Sequence, residues 1–294
     1  MTVLVTGGTG NVGSVVVHEL LHSGHDVRVL TRDAGRAGRV LGDDVDVVVT
    51  DLADRPGVDR ALAGVDRVFL AMGNEPGQVT AECTVVDSAA AASVERLVKL
   101  SGPAPHPDSP LVVEQWHARI ESHLAASGLP AVALRPASFM TNLLAFAEPV
   151  ATTGVLPAPT AGARVAFVDP RDVGCVAAAL LVAGRPPEAR ALRVTGPAAV
   201  TYDQVATALT AVLGREVRFV PVTDDAARAA MSGAGLPGPL VEAFLVVYRM
   251  QREGRLAEVT DTVPAVLDRP ARGVQDFLAE HRGVFGAAAP PPTR

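Results

Sequence analysis

Short, almost wholly apolar runs alternate with longer amphipathic ones through the first half of the chain. The apolar runs fall at residues 3–5, 26–30, 45–49, 67–71, 96–100 and 131–135. Runs of this length, apolar on both faces, predict strands covered from both sides. The stretches between them repeat their apolar positions at helical spacing, most clearly at residues 14–23, 79–93 and 111–127. Strands alternating with helices predict the α/β class, with a doubly wound parallel sheet. Right-handed crossovers then bring the C-terminal ends of all strands to one edge, where ligands bind.

The second half is less regular, and prolines interrupt it at Pro149, Pro157, Pro159, Pro186 and Pro187. Strands are expected at 164–168, 191–195 and 216–220. Asp169 or Asp172 is expected to cap a helix ending at Val182, and Thr201-Tyr-Asp-Gln204 has the spacing of a capping box opening a helix to Leu213. Further helices are expected at 223–231, 240–252 and 274–281. This pattern predicts a nucleotide-binding domain over 1–135 and a smaller α+β substrate lobe over 136–286, with 172–195 packing back on the sheet. An Ala- and Pro-rich tail at 287–294 is expected to be disordered.

One motif gives the first domain its chemistry. The opening strand runs into Thr6-Gly7-Gly8-Thr9-Gly10-Asn11-Val12-Gly13 and then into a helix. Gly7 permits the tight turn, Gly10 lets the backbone approach a pyrophosphate, and Gly13 lets the helix pack closely. The helix start then points N–H groups and a positive dipole end at the phosphates. A strand–glycine turn–helix unit of this kind is the dinucleotide fingerprint of a Rossmann-type sheet. Thr9, Asn11 and Val12 belong to the same cradle.

Composition narrows the partners. The 294 residues carry a net charge of −6, which gives no electrostatic footprint for nucleic acid. The two cysteines, Cys83 and Cys175, do not suggest a disulfide framework, and a reducing cytoplasm is expected. No signal segment is expected ahead of the first strand, and no apolar run is long enough to span a bilayer. The partner is expected to be a small molecule; monomer and homodimer both remain open.

The end of the second strand distinguishes the two nicotinamide cofactors. An acidic side chain there serves an adenosine ribose, and an arginine accommodates a 2′-phosphate. The chain has Leu30-Thr31-Arg32-Asp33, so Arg32 favours NADPH over NADH, with Asp33 either a helix cap or a ribose ligand. Asp51 and Leu52 are positioned to bracket the adenine. Ala71, Met72 and Gly73 are positioned where the backbone passes close to the cofactor.

The glycine motif and Val29-Leu-Thr-Arg32 resemble the atypical short-chain dehydrogenases. Further stretches narrow the resemblance to the NmrA-like branch, which includes NAD(P)H:quinone oxidoreductases. These are His117-Ala-Arg-Ile-Glu121, Ser127-Gly-Leu-Pro130, Leu134-Arg-Pro136, Phe139-Met-Thr-Asn142, Leu192-Arg-Val-Thr-Gly-Pro197 and 257–263 with Arg269-Pro270. The resemblance covers nearly the whole chain and implies the fold and cofactor above, with Pro136 beside the cofactor. The family it points to mixes reductases with non-catalytic redox sensors.

The Tyr-x-x-x-Lys pair of typical short-chain dehydrogenases cannot form here, because Lys99 is the only lysine and Tyr202 and Tyr248 lie in the second half. By the resemblance, His117 stands where related isoflavone-reductase-like enzymes carry a catalytic lysine. It is a candidate general acid titrating near neutrality, or a helix histidine that merely bonds Glu121. Ser101 ends the fifth strand, as a substrate-polarising serine or a turn residue. Asn142 is a candidate ligand of substrate or nicotinamide amide, or a helix cap. Trp116, Phe139, Met140, Phe244 and Tyr248 are candidates for an apolar pocket, or plain core. Without Tyr and Lys, the expected substrate is an easy electrophile, a quinone or related conjugated carbonyl whose reduction leaves a delocalised anion. Tailoring of an aromatic natural product fits the breadth of the family. The alternative is a sensor that binds NADP(H) and signals through a protein partner.

Overall fold

The apolar runs become the strands of one parallel sheet. The computed structural model describes residues 1–42, 45–185 and 188–286; the expected tail at 287–294 and Pro186-Pro187 lie outside the described residues. Strands β1 (Thr2–Thr6), β2 (Asp26–Thr31), β3 (Asp46–Val49), β4 (Arg67–Leu70), β5 (Arg96–Leu100) and β6 (Ala131–Pro136) are followed by β7 (Val155–Ala158), β8 (Arg164–Val165), β9 (Ala191–Val194), β10 (Val200–Thr201) and β11 (Arg218–Pro221). Seven of them form a Rossmann-type sheet in the order β3-β2-β1-β4-β5-β6-β9, every pairing parallel. The crossover helices are α1 (Gly13–His22), α2 (Ala34–Leu41), α3 (Arg55–Ala61), α4 (Gln78–Ala91) and α5 (Val112–Ala126). Then follow α6 (Ala147–Thr153), α7 (Pro170–Val182), α8 (Tyr202–Leu213), α9 (Asp224–Gly233), α10 (Gly238–Arg252), α11 (Thr262–Leu267), α12 (Val274–Glu280) and α13 (Arg282–Gly286).

The chain divides into two compact units, and it enters the first of them three times. That unit holds Met1–Pro136, Pro170–Val194 and Thr262–Arg269. Its core comes from both faces of the sheet: Val3, Leu4, Val5, Val68, Leu70, Leu97 and Leu134 are fully buried. Helix α7 packs on α1 through Gly174, where a Cβ would lie 2.6 Å from that of Val15. No basic residue lies in the last turn of α7, and strand arginines complete it instead. Arg96 Nη1 donates to the carbonyls of Leu180 (2.6 Å) and Ala183 (2.8 Å), and Arg67 to those of Leu181 and Ala183. This accounts for two arginines in otherwise apolar strands, since the last carbonyls of a helix need donors. Asp172, fully buried in the first turn of α7, pairs with Arg269 at 2.7 Å.

The second unit holds Ala137–Asp169, Thr195–Asp261 and the described part of Pro270–Arg294. A 3₁₀ turn, Met140–Phe146, follows its first residues. The expected strand at 164–168 pairs only over Arg164–Val165, antiparallel to β10, while Val168 bridges Phe139. Residues 155–158, read as a proline break, pair in parallel with β11. Proline is tolerated there because this two-stranded ribbon consists of edges. Thr201 forms the expected capping box with Gln204. Buried Tyr202 stacks edge-on against Phe146 and Phe167 and donates to Gln251 at 3.2 Å, which makes it a core residue. Among the described residues no helix is long and apolar enough to cross a membrane.

Candidate active site

Two positions of the glycine turn, Gly7 and Gly13, admit no side chain. Gly7 has φ +62°, and a Cβ there would lie 2.7 Å from the carbonyl oxygen of Ala71. A Cβ at Gly13 would lie 2.2 Å from the carbonyl oxygen of Gly7, so this glycine packs the start of α1 against the turn itself rather than against a strand. The N–H of Gly10 closes the turn on Gly7 at 3.0 Å. Gly10 and Asn11 are exposed, while Val12 is buried and anchors the loop. No side chain caps α1, and its first turn holds no acid, so the backbone N–H groups at this end have no anionic competitor. Thr6, fully buried, donates to the carbonyl of Ala71 and accepts the N–H of Ala71, at 2.7 and 2.8 Å. Its hydroxyl thereby ties the glycine turn to Ala71-Met72-Gly73.

At the end of β2 the arginine is exposed and already engaged. Arg32 lies 3.0 Å from Glu75 and 4.0 Å from Asp51. Asp33 caps α2, its Oδ1 accepting the N–H of Arg36 at 2.9 Å. Arg36 reaches the carbonyl of Thr9 at 3.4 Å, a second guanidinium beside the glycine turn. Asp51 accepts the N–H of Ala53 at 2.8 Å, and Leu52 is half-buried against the core. These residues fit a dinucleotide with a 2′-phosphate: an open helix start, a turn with glycine at 7, 10 and 13, and two guanidinium groups.

At the ends of β5 and β6 the structure shows a buried polar cluster. Helix α5 turns Glu114, His117, Ile120 and Leu124 toward the sheet. His117 Nδ1 lies 3.1 Å from Lys99 Nζ. Lys99, fully buried in β5, also pairs with the fully buried Glu82 at 3.0 Å and donates to the carbonyl of Leu100 at 2.9 Å. Gln78 holds the other oxygen of Glu82 at 2.8 Å. Burial first, and the Lys99 charge second, push the His117 imidazole down to about 3. The expected general acid titrating near neutrality is therefore corrected: His117 is neutral, because a desolvated ring beside an ammonium resists a second positive charge. Nor does His117 merely bond Glu121. That carboxylate accepts Ser101 Oγ at 2.5 Å and is clasped by Arg135, whose Nε lies 3.1 Å away. The sole hydroxyl hydrogen of Ser101 is thus directed to Glu121. Beyond Ser101, Gly102 abuts the ring: a Cβ there would lie 2.8 Å from His117 Cδ2.

Trp116 is half-buried on α5, and Pro136 ends β6 in the core. The remaining candidates belong to the second unit. Asn142 is exposed in the 3₁₀ turn, and its Nδ2 donates to Ser138 Oγ at 3.4 Å without capping a helix. Met140 is fully buried, a core residue rather than an open wall, because the turn's apolar side points inward. Phe139, Phe244 and Tyr248 are half-buried. Tyr248 packs on Val241 and Leu245, and burial pushes its phenol up to about 12. Both cysteines are free, and burial raises both thiols. Among the described residues no cluster of three or more His, Cys, Asp or Glu side chains could hold a metal.

The buried Lys99–Glu82 pair was not read from the sequence. Two signals pointed to it: a lysine inside the mainly apolar run Arg96–Leu100, and Gln78 and Glu82 spaced i, i+4 on one face of the next helix back in the chain. A charge in a buried strand requires a buried counter-charge.

The model of the NmrA-like family matches residues 1–272. An NAD(P)H azoreductase of Xenophilus azovorans is 36% identical over 287 residues, covering 97% of this chain and all of that protein (100%). A (4-alkanoyl-5-oxo-2,5-dihydrofuran-3-yl)methyl phosphate reductase of Streptomyces griseus is 43% identical, covering 96% and 99%. The Escherichia coli NADPH-dependent quinone oxidoreductase complexed with NADPH superposes with a TM-score of 0.86 at 24% identity, covering 95% and 99%, a likeness of fold.

Proposed function

The chain belongs to the NmrA-like family, and on that premise we propose that it is an NADPH-dependent reductase of conjugated acceptors, quinone-like or aromatic. The observation that carries the reading is the buried contact of His117 Nδ1 with Lys99 Nζ at 3.1 Å, which opposes a second positive charge on the ring. A neutral imidazole offers a hydrogen bond, not a readily released proton. Reduction of a simple ketone builds a strongly basic alkoxide that needs an acid beside it. Reduction of a quinone, an enone or a similar conjugated system builds a delocalised anion, for which a placed donor in a dry site suffices. The names of the two close relatives describe an azo compound and an acyl-substituted dihydrofuranone, both conjugated acceptors.

NADPH, when bound, supplies the hydride. The residues of the chain bind and orient. Gly7, Gly10, Asn11 and Gly13 seat the pyrophosphate on the open start of α1, and Arg32 with Arg36 takes the 2′-phosphate. Asp51 and Leu52 flank the adenine. Ala71, Met72, Gly73 and Pro136 line the path of the nicotinamide half. His117 donates to the substrate oxygen, and Ser101 holds Glu121 in place beside it. Phe139, Phe244 and Tyr248, half-buried, are the candidates for contact with a flat substrate.

The test is NADPH consumption, read by nicotinamide absorbance, against quinones, azo dyes, butenolides and simple ketones. Turnover of the conjugated acceptors with none of the ketones is expected. Tight binding of NADPH and NADP⁺ with no turnover of any conjugated acceptor would sink the reading in favour of a non-catalytic redox sensor.

A further inference from the structure

We propose that Lys99 is a positioning residue that acts through His117, fixing the imidazole as the tautomer whose hydrogen sits on Nε2. The inference rests on the reading of His117 as the donor to substrate, and its test separates the two.

The geometry leaves one arrangement. An ammonium donates and cannot accept. Nζ of Lys99 lies 3.1 Å from Nδ1 of His117, so Nδ1 must present its lone pair, and the ring hydrogen stays on Nε2. The counter-charge to Lys99 is Glu82, 3.0 Å away and fully buried, itself held by Gln78 at 2.8 Å. Buried charges occur in such pairs because an isolated one is too costly to desolvate. The ring is oriented as well: its Cδ2 edge, next to Nε2, lies against Gly102 just past the end of β5, where a side chain would collide.

The groups facing His117 are compatible with this state. From β5 comes Lys99, with Glu82 and Gln78 of α4 behind it, and Gly102 lies against the ring just past the end of β5. On its own helix stand Glu114, which accepts the N–H of Ala104, and Glu121, which is taken by Ser101 and Arg135. The charge nearest the ring is thus positive, and it opposes protonation of Nδ1. A lysine on a strand behind the histidine fixes which nitrogen donates, a selection a ring in water does not make.

The experiment is nitrogen NMR of the histidine-labelled protein without cofactor, from about pH 5 to about pH 9. His117 is expected as the Nε2–H tautomer throughout, with no titration. The comparison is the double variant Lys99→Met with Glu82→Gln, which removes both charges and keeps the Gln78 contact. In it His117 is expected to show both tautomers and to titrate nearer the ordinary value of about 6.5. Its kcat with a quinone should fall about tenfold or more, with the KM for NADPH unchanged. A wild-type His117 that carries its hydrogen on Nδ1, or that protonates near neutrality, overturns the proposal whether or not the variant folds. So does a folded variant whose tautomer is unaltered. The expected spectra in a protein that turns over no acceptor would leave the lock standing and overturn the reductase reading instead.

Discussion

Nη1 of Arg32 lies 3.0 Å from Oε1 of Glu75, so the arginine at the end of β2 is held by a carboxylate from the loop after β4. A 2′-phosphate arriving at Arg32 competes with that carboxylate. Arg32→Ala is expected to weaken NADPH at least tenfold more than NADH, because a charge-assisted fork is worth about 1.5–3 kcal/mol. Glu75→Gln should act the other way and tighten NADPH a few-fold, as an exposed pair is worth about 0.2–1 kcal/mol. Titration of both cofactors against both variants checks this. Equal losses for NADPH and NADH in Arg32→Ala would remove the phosphate assignment.

Gly13→Ala tests the turn. The added methyl would stand 2.2 Å from the Gly7 carbonyl oxygen, and backbone on both sides cannot move aside cheaply. A cost of about 1–3 kcal/mol in stability is expected from such overpacking, with NADPH affinity lowered by roughly tenfold or more. Denaturant midpoints and cofactor titration read the two effects. Unchanged cofactor affinity would show that the turn is not the phosphate seat.

Acid should weaken the fold through His117. Its imidazole is held at about 3, below the ordinary 6.5, so between those values the unfolded chain binds a proton that the folded one refuses. Stability from this group is complete above about pH 6.5 and declines as the pH falls toward about 3, by roughly 2 kcal/mol at about pH 5. Urea midpoints at about pH 8 and about pH 5 measure the loss, and His117→Phe should remove most of the slope. An equal slope in that variant would place the acid sensitivity elsewhere.

Ser101→Ala should change turnover little. The hydroxyl donates to Glu121 at 2.5 Å, and Arg135 still clasps that carboxylate when the serine is gone. A drop of a few-fold in kcat is expected, against about a hundredfold for loss of a donor that touches the reacting oxygen. Steady-state rates with one quinone decide it, and a hundredfold loss would return Ser101 to direct contact with substrate.

The sheet was legible because its strands are apolar on both faces and its first turn carries glycines at required positions. Thr201 and Gln204 announced their helix by chemistry local to four residues. Chain crossings were less legible: α11 lies in the sheet unit although it follows most of the second unit, and Arg269 there meets buried Asp172 across nearly a hundred residues of sequence. The ionic state of His117 was misjudged for the same reason. Its position on α5 could be read, but its burial and the approach of Lys99 from β5, backed by Glu82, come from the packing of other elements, and a pKa is set by surroundings in space. Met140 could not be told from pocket lining because a buried methionine and an exposed one have the same local pattern.

Trp116, half-buried beside His117 in the chain, is the sole tryptophan among the 294 residues. Its fluorescence therefore reports a single address, one residue from the proposed donor. Reduced nicotinamide absorbs where indole emits, whereas the oxidised form does not. Quenching of this one emitter would thus distinguish the two oxidation states of a bound cofactor, and each turnover could be followed by an optical probe already written into the chain.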